Sequence, residues 1–219
     1  MGGLIPAILW LWFWLREDRK RPEPRGLLFL AFIAGMIAVP LVIPVQRFVT
    51  TDFANISLIT IILWALFEEV FKYVASYFAA LKNKANDDPI DPVIYLITTA
   101  LGFAALENTL FLINVISDGG FIESVITGNM RFIGATLLHT VSSATIGLFM
   151  AFSFYKSKST KRIYLFMGII LSVALHTLFN FFIMNASGTG ILWVFIGVWI
   201  LVVLLILFFE KVKSLRRKS

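Results

Sequence analysis

The sequence predicts an all-α fold, a polytopic transmembrane helix bundle of about seven spans, and two observations carry that prediction. Hydrophobic residues make up 59% of the 219-residue chain, at a mean hydropathy of +0.88. Several apolar runs are longer than the roughly 18 residues that mark a bilayer span. A transmembrane barrel would instead show segments of about ten residues alternating in polarity. Cysteine is absent, which removes disulfides, thiolate metal sites and thiol nucleophiles from consideration.

Taken in order, the spans are expected near residues 3–15, 27–45, 56–81, 93–116, 132–155, 163–184 and 191–209. The first is short. No positive residue precedes it and no small-residue cleavage site follows, so it reads as a retained helix with the N-terminus outside rather than a signal peptide. The third carries Glu68, Glu69 and Lys72 inside an otherwise apolar run. Polar connections are expected at 16–26, rich in charge and proline, and at 117–129, which contains Gly119 and Gly120. Neither is long enough for a second soluble domain, and no internal repeat stands out, so residues 1–219 form one integral membrane domain.

Basic residues orient the bundle. Sixteen of the nineteen fall at 16–25, 82–84, 156–162 and 211–218, whereas Arg47 stands alone in one intervening loop and Arg131 borders another. Under the positive-inside rule the N-terminus is outside and the C-terminus cytoplasmic. The formal net charge of +6 is mostly this bias, which suits contact with membrane lipid and requires no nucleic acid.

Few polar side chains remain within the spans: Glu68, Glu69, Lys72, Glu107, Asn108, His139, His176 and Asn180. Each central acidic residue costs roughly 2.5–3.5 kcal/mol on an insertion scale, so such residues point to a water-filled functional site. At about 1.5 Å rise per residue from the predicted outer ends, Glu107 lies roughly 13 Å deep, His139 about 10 Å, His176 about 12 Å and Glu68 about 18 Å. Four helices thus place ionisable groups in one slab. Lys72, four residues after Glu68, is the expected partner of Glu68, leaving Glu69 turned about 100° towards another helix. His176 and Asn180 share a helix face and could donate to one oxyanion. Competing structural readings are a neutralised Glu–Lys pair, an interhelical hydrogen bond from His176, and close helix packing at Ser142, Ser143, Gly134 and Gly147.

These residues in this order resemble the PrsW family of bacterial intramembrane proteases, relatives of the CAAX-processing and bacteriocin-processing enzymes. The resemblance rests on EEVFK at Glu68 to Lys72, GFAALEN at Gly102 to Asn108, HTVSSATIG from His139, and HTLFN at His176 to Asn180. Asn180 stands where PrsW-like chains carry an acidic residue, which favours a hydrogen-bonding role there.

The resemblance implies a multi-pass protein of the bacterial cell membrane that hydrolyses a peptide bond with a glutamate-activated water and no metal. Glu68 would be the general base, with Glu69 and Glu107 positioning water or holding a shared proton. His139 would orient or shuttle, His176 and Asn180 would stabilise the oxyanion, and Lys72 and Asn108 would support the cluster. The implied substrate is a single-span membrane protein of the anti-sigma factor type, cut near the extracytoplasmic side. Two alternatives stand beside this reading. Zinc could be held by His139, His176 and Glu69, although no HExxH motif is present. Buried Glu and His residues also build proton relays, so an ion- or proton-coupled transporter or a non-catalytic membrane binder is the alternative of a different class.

Overall fold

In the computed structural model, residues 3–17, 22–50, 56–117 and 121–215 are described, with the side chains of 115–133 outside that description. The described elements are helical: α1 (Leu4–Glu17), α2 (Arg25–Val49), α3 (Leu58–Ser76), α4 (Asp91–Ser117), α5 (Phe121–Phe152), α6 (Lys158–Asn185) and α7 (Thr189–Lys213). A π-helical turn, Tyr77–Leu81, continues α3.

Five of these helices have the length and apolarity to cross a membrane: Arg25–Val49, Asp91–Asn114, Gly134–Phe152, Lys158–Asn185 and Thr189–Lys213. At 14 residues α1 is about 21 Å long, below the roughly 30 Å hydrocarbon thickness. The 19-residue α3 lies among the others, but any span-length window in it contains Glu68, Glu69 and Lys72. Its place inside a bundle therefore depends on how those charges are partnered.

Two expectations about connections change. Residues 121–129, expected to belong to a loop, form the first turns of α5; the rest of that connection, 118–120, lies outside the described residues. Hydropathy marks what lipid tolerates, and a helix can continue past that limit while its backbone bonds remain intact. Likewise α2 continues through Gln46 and Arg47 to Val49, so Arg47 is helical rather than in a loop.

Helices α4 and α5 form the centre. From Ile90 to Ala105 every α4-region side chain is buried, and α5 is nearly as enclosed around Leu137 to Ile146. Small residues make this possible. A Cβ on Gly35 of α2 would lie 1.9 Å from the Thr99 carbonyl oxygen, and one on Gly102 of α4 would lie 1.9 Å from that of Phe32. The two backbones are in direct contact, as small residues permit between membrane helices. Several buried threonines satisfy their hydroxyls within their own helices: Thr98 and Thr99 donate to the carbonyls of Ile94 and Tyr95 at 2.7 and 2.9 Å, and Thr140 to that of Thr136 at 2.8 Å.

Side-chain caps start two helices. The Ser57 hydroxyl accepts from the Thr60 N–H at 3.1 Å for α3, and that of Ser157 from the Thr160 N–H at 3.3 Å for α6. Gly188, at φ 54°, makes the sharp entry to α7 in a region of backbone space that other residues rarely adopt. At the opposite end Lys213 bonds Glu17 at 3.2 Å and Glu210 at 2.6 Å, so α1 and α7 finish on the same face. That face also holds the buried Glu23, which accepts from the Tyr95 hydroxyl.

Candidate active site

Five helices supply the polar centre. Glu68, Glu69 and Lys72 come from α3, Glu107 and Asn108 from α4, His139 and Ser143 from α5, His176 and Asn180 from α6, and Gln46 from the last turns of α2. The four groups assigned to one slab do converge. The rings of His139 and His176 lie 5.1 Å apart, edge to face, and His139 Nε2 is 2.7 Å from Glu107 Oε2.

Lys72 is fully buried and pairs with Glu69, not with Glu68 as its spacing suggested. Its Nζ lies 2.5 Å from Glu69 Oε1 and 3.0 Å from His139 Nδ1, over the Phe103 ring at 5.0 Å from the centroid. Spacings of three and four residues both bring helical side chains together, so tertiary partners make the choice. Glu69 is drawn inward by contacts from two other helices. The Ser143 hydroxyl donates to its Oε2 at 2.9 Å, and His176 Nδ1 lies 2.8 Å from Oε1. Both of its oxygens are thereby committed.

Glu68 is held differently. The Gln46 side-chain amide donates to its Oε1 at 2.7 Å. Its Oε2 is buried and has no hydrogen-bond partner among the described residues, but faces His176 Nε2 at 3.5 Å and His139 Nδ1 at 4.0 Å. A lysine ammonium can only donate, so His139 Nδ1 accepts from Lys72 and its Nε2–H donates to Glu107. Likewise His176 Nδ1–H donates to Glu69, leaving the Nε2 lone pair directed towards Glu68. Acceptors thus face acceptors across a small gap, an arrangement that calls for a proton, a water or a cation between them.

A cavity of about 680 Å³ opens from this centre. Gln46, Glu68, Glu107, His139, His176 and Asn180 are on its wall, together with Asn108, whose amide donates to the Thr136 hydroxyl at 3.1 Å. Glu69, expected on the same wall, lies behind it with no exposed surface. The lining comes from the later turns of α2, α4 and α6, the middle of α3 and α5, and the first turns of α7, so the cavity lies towards the end opposite the Glu17–Lys213 contact. That is the end with few basic residues.

Two contributors escaped the sequence reading. Ser143 read as a small packing residue, and Gln46 fell just beyond the predicted end of its span. The signal for Gln46 was that it is the chain's one glutamine, one residue past an apolar run.

The donor set also fits a metal ion. One ligand atom each from Glu68, His139 and His176 lie within 4.8 Å of one another. Glu68 replaces Glu69 in the zinc trio considered from sequence, because Lys72, Ser143 and His176 already occupy Glu69, and His139 Nδ1 would have to give up its contact with Lys72 to bind an ion. The outward nitrogens of the two histidines are backed by Glu69 and Glu107, as carboxylates commonly back metal-bound imidazoles.

Comparison with known proteins follows the same pattern. The family profile described as PrsW family intramembrane metalloprotease matches residues 23–208. The chain is 26% identical over 193 residues to Protease PrsW of Clostridioides difficile (strain 630), covering 83% of this chain and 77% of that protein. It is 28% identical over 184 residues to Protease PrsW of Halalkalibacterium halodurans, covering 82% and 80% respectively. It is 26% identical over 194 residues to Protease PrsW of Geobacillus kaustophilus, covering 86% and 81%. No solved structure matches the chain. With the profile extending over most of the sequence and helices suited to a bilayer, the chain belongs to the PrsW family and is a multi-pass bacterial membrane protease.

Proposed function

We propose that this protein is an intramembrane endopeptidase in which Glu68 activates the attacking water. The observation that carries this reading is the buried Glu68 Oε2, without a hydrogen-bond partner among the described residues, which faces His176 Nε2 at 3.5 Å from a side chain on the wall of the cavity. A water entering from the cavity can donate one hydrogen to Glu68 Oε2, with a lone pair left for the scissile carbonyl carbon and His176 Nε2 beside it. As the O–C bond forms, Glu68 takes the proton, and it later returns the proton to the leaving amine nitrogen. Glu69 has no free oxygen for this task and orients His176 instead.

Asn180, on the cavity wall one helical turn beyond His176, supplies an amide donor for the developing oxyanion. Lys72 balances the carboxylates and aligns His139, and Glu107 fixes the His139 ring from the other side. The proposed substrate is a single-span membrane protein of the anti-sigma factor type. An orientation with the N-terminus outside, as the basic-residue bias implies, would put the cavity on the extracytoplasmic side, where the resemblance expects the cut.

The converging ligands favour a second reading, in which Glu68, His139 and His176 hold a zinc ion. When bound, zinc would polarise the substrate carbonyl and lower the barrier to water deprotonation. The deciding experiment is cleavage of a single-span substrate by purified enzyme in liposomes, before and after exhaustive chelation. Undiminished, Glu68-dependent cleavage supports the metal-free mechanism; loss restored by Zn²⁺ selects the zinc reading. Proton or ion flux in the liposomes with no cleavage would instead support a transporter.

A further inference from the structure

We infer that Gln46 is a positioning residue for Glu68, directing the transferred proton to the oxygen that faces the histidines; this rests on the proposed role of Glu68 in activating water. The two oxygens of Glu68 are not equivalent. Oε1 accepts from Gln46 Nε2 at 2.7 Å, while Oε2 has no hydrogen-bond partner among the described residues and points towards His176 Nε2 and His139 Nδ1. An amide N–H₂ can donate to Oε1 whether Glu68 is a carboxylate or a carboxylic acid protonated on Oε2. A proton on Oε1 would meet that donor head-on. Gln46 thus keeps one geometry through both halves of the reaction and leaves Oε2 as the oxygen that receives the proton.

Gln46 is itself anchored to the helix that carries Glu68. Its backbone carbonyl accepts from the Thr50 hydroxyl at 2.6 Å and from Trp64 Nε1 at 3.4 Å, and Trp64 Nε1 also reaches the Thr50 hydroxyl at 3.1 Å. Trp64 lies one helical turn before Glu68 on α3, so this clamp joins the end of α2 to the turn above Glu68. The other charged and titratable groups around Glu68 are Glu69 and Lys72 on α3, Glu107 on α4, His139 on α5 and His176 on α6. Each of these except Glu107 is enclosed by the cluster, and none is described as donating to Oε1.

The test compares purified Gln46→Met, Gln46→Glu and Trp64→Phe with the wild type and Glu68→Gln, on a reconstituted single-span substrate. Misplacing a reacting group by about 1 Å can cost on the order of 10²-fold, so Gln46→Met should lower kcat by about ten- to a hundredfold with KM unchanged. Gln46→Glu keeps the shape but exchanges the donor for an acceptor, so it should be at least as impaired as Gln46→Met. Trp64→Phe should show a smaller loss, again in kcat. Wild-type kcat in Gln46→Met, a loss carried by KM alone, or Gln46→Glu clearly more active than Gln46→Met would overturn the inference. If Gln46→Met does not accumulate as folded protein, Trp64→Phe decides: unchanged kcat overturns the inference. In every case, inactive Glu68→Gln leaves the wider reading intact, whereas fully active Glu68→Gln removes that reading itself.

Discussion

Glu68→Gln offers the sharpest separation of chemistry from folding. In the wild type, Oε1 accepts from Gln46 at 2.7 Å and Oε2 faces His176 Nε2 at 3.5 Å. A glutamine at this position keeps its carbonyl towards Gln46 and places its N–H₂ where Oε2 was. That amide can donate to His176 Nε2, so a buried acceptor without a partner is replaced by a donor that has one. Leaving such a group unsatisfied costs about 1–3 kcal/mol, so the variant should be at least as stable as the wild type. It cannot take a proton from water. Loss of a general base lowers the rate by roughly 10²–10⁴, or about 2.7–5.4 kcal/mol of barrier at 1.36 kcal/mol per tenfold. The assay is initial-rate cleavage of a single-span substrate in liposomes, with Tm measured on the same preparations. Full cleavage by a normally folded variant would refute Glu68 as the base; a large fall in Tm would refute the account of its hydrogen bonds.

Other perturbations test separate parts of the site. Asn180→Ala should lower kcat by roughly 10²–10³ with little change in KM, measured on the same substrate, if its amide meets the oxyanion. Lys72→Met leaves Glu69 without its 2.5 Å partner and should destabilise the protein by about 3–5 kcal/mol in denaturation experiments, with partial recovery in Lys72→Met/Glu69→Gln. Gly102→Ala places a Cβ 1.9 Å from the Phe32 carbonyl and should cost about 1–3 kcal/mol by forcing α2 from α4, whereas Gly197→Ala, exposed within α7 and with no described atom within 4 Å, should leave Tm unchanged or raise it slightly. Ser187→Cys, in the turn between α6 and α7, should react with an impermeant thiol reagent in intact cells; labelling only after the membrane is opened would reverse the proposed orientation.

The sequence by itself determined the helical membrane class, because hydropathy is a local quantity and a backbone in lipid must satisfy its own hydrogen bonds. It also identified the polar residues at similar depth, since rise per residue is nearly constant along a helix. What it could not settle was how the helices turn about their axes. Lys72 can reach Glu68 or Glu69 along α3 alone; Ser143 and His176, 74 and 107 residues from Glu69, bind that carboxylate and determine the pairing. Those contacts put Glu69 behind the wall and leave Glu68 to the cavity. Gln46 is the clearest case of information absent from local pattern, since hydropathy ended its span at Val45, one residue before it, and only α2 packing beside α3 brings its amide to Glu68. Depth is a property of each segment, whereas partner choice depends on close packing between segments distant in the chain. Only the tertiary structure could therefore distinguish the committed carboxylate from the one whose second oxygen remains available.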